Sequence, residues 1–292
     1  MSGFIEVVLG GLMAGCVYAL IATGMSVVYS ISRIITLAQG GFVVLAALTG
    51  ASLHNRLGIP TLAVVPIVMV VFAVGMALLD VVVIRPAAKR ATPDRLLLVT
   101  VGMLQAVGGL LLIGWGNLPY TMPAFTGTQP LVWGGIHLPT QYFWIVGSLV
   151  LVVVVMLLLL ARTELGLAMR ATAENPMAAR LQGIRVERMR LLAFAIAGAV
   201  AGLAGCVILP ITFLQFTTVT PYAVAGFIAA VVGGLGSISG AVIGGLLLGL
   251  LQGVFSRYWN ADLAQLTAIA ILVVVLVLRP QGILGTAERV RR

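Results

Sequence analysis

From Leu57 to Ile84 the chain carries one charged residue, Asp80, and from Gln141 to Ala161 it carries none. A helix crossing the hydrocarbon layer of a bilayer needs about 20 mostly apolar residues. Runs of that kind recur at about 7–31, 36–53, 61–84, 96–114, 141–161, 191–211 and 263–278. They are longer than ordinary strands and lack the alternation of a barrel wall. Each is therefore read as a helix, the form that keeps backbone hydrogen bonds inside its own segment. The first run starts close to Met1 without a basic leader, which reads as a retained span rather than a cleaved signal.

The composition supports this. Charged residues make up 9% of the 292 and apolar residues 61%, with a mean hydropathy of +1.17. Soluble domains carry about 25% charge. So few charges cannot cover a folded surface in water, which excludes a soluble enzyme. The expected fold is an all-α polytopic membrane protein: one transmembrane domain over 1–292 with about eight (seven to nine) spanning helices. The count stays open at 222–256, which is too long for one span and rich in Gly. It reads as two short spans, about 222–235 and 240–256, or as a broken, re-entrant pair.

Charge gives the orientation. All but Arg56 and Arg257 of the 17 basic residues fall at Arg33, in 85–95, in 162–190, or from Arg279 to the end. The connector 115–140 has no charge but holds Trp115, Tyr120 and Trp133. Basic loops stay in the cytoplasm, and Trp and Tyr favour the interface. The loop 162–190 and the C-terminus are thus expected inside, and 115–140 and the N-terminus outside. An even number of crossings must then separate Arg190 from Arg279. The net charge of +9 is spread over these gaps, with no basic patch and interleaved aromatics for nucleic acid.

Two segments stand out. In Gly233-Gly234-Leu235-Gly236-Ser237-Ile238-Ser239-Gly240, four glycines and two serines make a poor helix interior. Inside a membrane such a break persists where it is buried or faces a polar cavity. It is either an element of a solute path or a plain turn. In the loop 162–190, Asn175-Pro176 reads as an N-cap followed by Pro at the first helical position, and Gly183 as the residue after the C-cap. Ala178, Ala179 and Leu181 give this short helix a small apolar surface, and Glu174 precedes it. It either rests on lipid headgroups or docks a cytoplasmic partner.

The spans hold few polar groups. Asp80 lies near an inner end with Arg85 and Arg33 as available partners. Thr36, Gln39, Gly40 and Gly41, and further on Gln105, Thr212, Gln215, Thr217 and Thr218, are uncharged groups able to face a polar solute. No carboxylate or His sits convincingly at mid-depth, where coupled carriers place them. His54 and His137 are isolated, and Cys16 and Cys206 sit in apolar runs, so neither a metal site nor a disulfide framework is expected. There is no GxxxxGK[ST] nucleotide loop.

The chain resembles the permease subunits of bacterial high-affinity branched-chain amino acid ABC transporters, of the LivH/BraD kind. The resemblance is carried by Gly11 to Tyr29, by Arg33-Ile34-Ile35-Thr36-Leu37-Ala38-Gln39-Gly40, and by Asp80 with Arg85-Pro86. It continues through Gly166–Arg170 with Asn175, Ala178, Leu181 and Gly183, then Leu235–Ala241, and Arg279-Pro280-Gln281-Gly282-Ile283-Leu284-Gly285. Gln39 stands where the family has His. The resemblance implies a second homologous permease, two cytoplasmic ATPases that carry the ATP-Mg, and a periplasmic solute-binding protein, all at the inner membrane. No cofactor is implied in this chain. Glu174, Asn175, Ala178, Ala179, Leu181 and Gly183 would couple to an ATPase. Thr36, Gln39, Gly40, Gly236, Ser237, Ser239 and Gly240 are the candidates for the path, and Asp80–Arg85 for a structural ion pair. A urea or amide importer of the same family and a self-contained secondary carrier are the alternatives.

Overall fold

The structure is a computed structural model that describes residues 2–90, 92–127, 131–133, 136–258, 261–279 and 281–285. The tail arginines Arg289, Arg291 and Arg292 lie outside the described residues. The helices, in order, are α1 (Ser2–Ser32), α2 (Ala38–Leu57), α3 (Thr61–Leu79), α4 (Arg85–Arg90) and α5 (Pro93–Trp115). Then come α6 (Gln141–Arg162), α7 (Glu164–Glu174), α8 (Pro176–Leu181) and α9 (Val186–Ile208). The last three are α10 (Val219–Gly233), α11 (Ile238–Tyr258) and α12 (Ala261–Leu278). A small hairpin of β1 (Leu131–Trp133) and β2 (Ile136–Leu138) interrupts the connector before α6.

Seven helices among the described residues are long and apolar enough to cross a membrane. α2 has 20 residues and runs beside the Thr100–Trp115 stretch of α5. At one end the Thr100 hydroxyl of α5 donates to the Ile35 carbonyl just before α2. At the other the Trp115 indole N–H donates to the Leu48 carbonyl and the Ser52 hydroxyl of α2. With α2 and α12 added, nine apolar helices of 15 or more residues lie among those described. This is a multi-pass membrane protein.

Small residues set the core packing. On α11, Gly245 and Gly249 lie against the backbone of Ala19 and Gly15 on α1, and Gly253 lies against Gly11. The four-residue spacing lines these glycines along one face and lets the two backbones approach closely. The same device recurs on α9, where Gly198 and Gly202 meet α3 at Phe72 and Met69, and Gly205 meets α2 at Val43 and Ala47. The buried core consists of these contact faces, while Val70, Val74, Leu151 and Leu158 are exposed on the outside of α3 and α6.

The bundle has two ends. Arg33, Arg85, Arg170, Arg180 and Arg190 gather at one, linked by the contacts described below. The segment 281–285 returns there too: the amides of Ile283 and Leu284 donate to the carbonyls of Val232 and Gly233. Arg56 and Arg257 close helices at the other, arginine-poor end, where α1 begins.

The segment 222–256 resolves into an antiparallel helix pair. Gly233 and Ala229 of α10 pack on Gly240 and Gly244 of α11. The turn between them runs through Gly234 (φ 105°) and Gly236 (φ 87°), a left-handed backbone that suits glycine. It is a turn at the arginine-rich end. The two helices are unequal, however. Val219, at the start of α10, sits over Gly41 together with Leu104 and Val107 of α5, and Tyr222 meets Tyr18 of α1 with ring centroids 6.2 Å apart. Leu104 and Tyr18 are the middles of their helices. α10 therefore starts halfway through the bundle, and residues 209–218 descend to it from the arginine-poor end without forming a full span.

Candidate functional site

Two regions position the polar side chains. The first is the arginine-rich end. The Asp80 carboxylate is fully buried, with Oδ2 2.8 Å from Arg85 Nε and Oδ1 2.9 Å from Arg190 Nε. A π-helical turn at Asp80–Ile84 adds a residue to the helix and turns both Asp80 and Ile84 inward. Arg190 stands in the first turns of α9, so the triad ties α3 to α9. Arg33 is not the partner. It ends α1 with φ 56°, lies over the Tyr29 ring and donates to the Ala173 carbonyl of α7.

The network continues outward. Arg85 Nη2 donates to the Glu187 carbonyl at 2.9 Å, and Arg180 Nη2 donates to the Glu187 carboxylate at 2.7 Å. Arg180 belongs to α8, so polar contacts connect that short helix to α3 and α9. Nothing in a single sequence pairs Asp80 with Arg190 across so many residues.

α8 is closed at both ends by side-chain and backbone bonds. Asn175 Oδ1 accepts from the amides of Met177 and Ala178, each at 3.0 Å. At its other end Gly183 (φ 83°) takes the left-handed conformation, and the Ile184 amide donates to the Ala179 carbonyl. Ala179 is buried at 1% exposure, so among the named coupling residues it is the one that anchors the helix. Met177 and Leu181, one turn apart, are 68% and 83% exposed beside Ala178. Met177 shares that exposed face. α7 is marked locally too: Thr163 caps it, and Gly166, Met169 and Thr172 form a buried stripe at helical spacing. Glu174 is the last residue of α7 and is exposed.

The second region is the mid-depth start of α10. Its approach, 209–218, is pinned by an antiparallel bridge between Leu214 and Tyr120 and by the Thr121 hydroxyl on the Leu209 carbonyl. Gln215 Nε2 donates to the Thr217 hydroxyl, and the Thr218 hydroxyl donates to the Gln215 carbonyl. With Tyr18 these groups form a polar patch halfway across the bundle, at a broken backbone. Irregular backbone at that depth is tolerated where it is buried in protein or lines a cavity.

The seven sequence-derived path candidates are not brought together. Thr36 and Gln39 are buried at 2% and 0% exposure. Gln39 Nε2 donates to the Ala197 carbonyl of α9 at 2.8 Å, and neither Gln39 Oε1 nor the Thr36 hydroxyl has a partner among the described residues. Gly40 is packed on the backbone of Tyr222 and Ala223, and Gly240 on Gly233, which leaves no room for a solute beside either. Gly236, Ser237 and Ser239 lie at the turn near Tyr29 and Ser30, where Ser237 and Ser239 contact each other and the Gly240 amide donates to Ser237.

The family model for the permease component of the branched-chain amino acid transport system matches residues 7–276. The chain belongs to that family. The permease is 30% identical to the high-affinity branched-chain amino acid permease LivH of Escherichia coli K12, over 98% of this chain and 96% of that one. It is 28% identical to BraD of Pseudomonas aeruginosa over 98% and 97%. Among solved structures, PsaBC from Streptococcus pneumoniae shares the fold, with a TM-score of 0.51 and 12% identity over 93% of the permease and 91% of that chain.

Proposed function

We propose that the permease is the membrane subunit of an inner-membrane ABC importer for branched-chain or closely related amino acids. The observation that carries this is family membership over 7–276, in a chain whose LivH and BraD relatives move those solutes. A second permease would complete the path, a periplasmic binding protein would deliver solute, and two ATPases on separate chains would hydrolyse ATP. With basic loops retained inside, the arginine-rich end and the C-terminus would face the cytoplasm.

Coupling would run through α8. Its exposed Met177, Ala178 and Leu181 form an apolar knob outside the membrane, which suits a groove on an ATPase. Arg180–Glu187 and Arg85–Asp80–Arg190 then tie that knob to α9 and α3. Glycine-packed helices move as rigid bodies, so a push on α8 shifts the balance between two arrangements of the bundle. Solute would pass the patch of Tyr18, Thr212, Gln215, Thr217 and Tyr222, with Gly236, Ser237 and Ser239 nearer the exit. Asp80, held between two arginines, suits anchoring and not proton transport.

Proteoliposomes provide the test. The permease reconstituted with its partner permease, both ATPases and the binding protein should take up labelled leucine only with ATP. Uptake by this chain alone, or uptake driven by a proton gradient without ATP, would overturn the reading.

A further inference from the structure

At the arginine-rich end a cavity of about 300 Å³ opens between α1, α6, α7, α9 and the start of α11. Its wall is apolar, with Met156, Leu160, Met169 and Ile196 among its residues. Ser26 also lines it. Ser26 is fully buried, and its hydroxyl has no hydrogen-bond partner among the described residues. A hydroxyl buried without a partner is costly, and such a group in a cavity marks a place for a polar atom to arrive. Arg170 and Glu174 line the cavity one helical turn apart on α7. Both are exposed and neither pairs with the other, although that spacing permits it.

An apolar wall, one cation and one anion at the same opening, and one unanswered hydroxyl together describe the complement of a zwitterion with an aliphatic tail. A purely apolar occupant would leave Arg170 and Glu174 paired with water alone. The paired acyl chains of a phospholipid exceed the volume. We propose that this cavity binds an α-amino acid with an aliphatic side chain: carboxylate on Arg170, ammonium on Glu174, tail against Met156 and Met169. The ligand class follows from the lining; the assignment of the site to the cytoplasmic side rests on the reading above. An occupant braces α7 against α1 and α9. α7 leads through Asn175 straight into α8, so occupancy opposes movement of the coupling helix. The site would slow the importer as the internal amino acid pool fills.

The test uses the permease–ATPase complex, without its binding protein, in phosphatidylcholine nanodiscs. L-Leucine should raise the melting temperature and lower ATPase turnover. 4-Methylpentanoate, which lacks the amine, and isopentylamine, which lacks the carboxylate, should need about tenfold more or worse. Arg170→Gln should raise the leucine requirement by about the same factor, Arg170→Lys should recover part of it, and Ala173→Phe, which fills the cavity, should abolish the effect. No shift with leucine would overturn the proposal. So would equal shifts with the two analogues, an unchanged response in Arg170→Gln, or stabilisation by phosphatidylethanolamine in the disc with leucine silent. Uptake by the same preparation with binding protein added separates the two readings. Uptake without a leucine-dependent shift sinks this site alone, whereas no uptake sinks the importer.

Discussion

Arg190 Nε lies 2.9 Å from Oδ1 of Asp80, a carboxylate with no exposed surface, and so joins α9 to the inner end of α3. Removing one partner of a buried pair leaves an uncompensated charge, at a cost of about 3–5 kcal/mol. Asp80→Ala should therefore lower the yield and melting temperature of the complex sharply. Asp80→Leu combined with Arg190→Met should recover part of the stability. If coupling runs through this triad, the double variant should still hydrolyse ATP while stimulation by loaded binding protein falls. ATPase assays with and without binding protein give the answer.

The glycines divide into two kinds. Gly249 on α11 faces the backbone of Gly15 and Gly11, whereas Gly109 on α5 has open space where a Cβ would stand. Gly249→Ala should destabilise by about 1–3 kcal/mol through overpacking. Gly109→Ala should be neutral or stabilise by up to about 1 kcal/mol through helix propensity. Melting curves of the two variants in detergent should move in opposite directions or differ clearly in size.

α8 allows a separation of folding from docking. Asn175→Ala removes the cap and should cost about 1 kcal/mol locally. Leu181→Asp places a charge on a residue that is 83% exposed, so the chain should fold and insert normally. Both should weaken co-purification of the ATPase and uptake; Leu181→Asp should do so without lowering the melting temperature of the isolated permease.

The mid-depth start of α10 predicts accessibility. Thr217 is exposed on the segment that descends from the arginine-poor end, beside Gln215. Thr217→Cys should react with a small water-soluble thiol reagent added outside cells, and the reaction should slow uptake. Cys16 and Cys206 are both buried and should give little background.

Much of this architecture was legible from hydropathy, because the cost of burying backbone and charge in lipid fixes where helices begin and end. The boundaries near Ser32, Pro93, Gln141 and Arg162 follow from that alone. The closing of α8 at Asn175 and Gly183 was legible because caps are local chemistry. Depth was not. Nothing in Thr218-Val219-Thr220-Pro221-Tyr222 says that this helix starts level with Tyr18, since that depends on how 209–218 folds against Tyr120. Partners distant in sequence were equally hidden: Asp80 has Arg85 five residues away, but its second arginine comes from another helix. Glycine spacing told that helices approach closely, and not which ones. α7 carries a readable stripe at Gly166, Met169 and Thr172, but its polar surroundings give hydropathy nothing to detect.

Which way the bundle faces governs the docking of α8, the direction of transport and the placing of the cavity. Single cysteines at Asn55 and at Ala178, both exposed, report it by labelling with a membrane-impermeant maleimide. In intact cells with a permeabilised outer membrane, Asn55→Cys should label and Ala178→Cys should not. In inverted inner-membrane vesicles the pattern should reverse. Labelling of Ala178→Cys from the periplasmic side of sealed cells would contradict the orientation and, with it, the coupling proposed for α8.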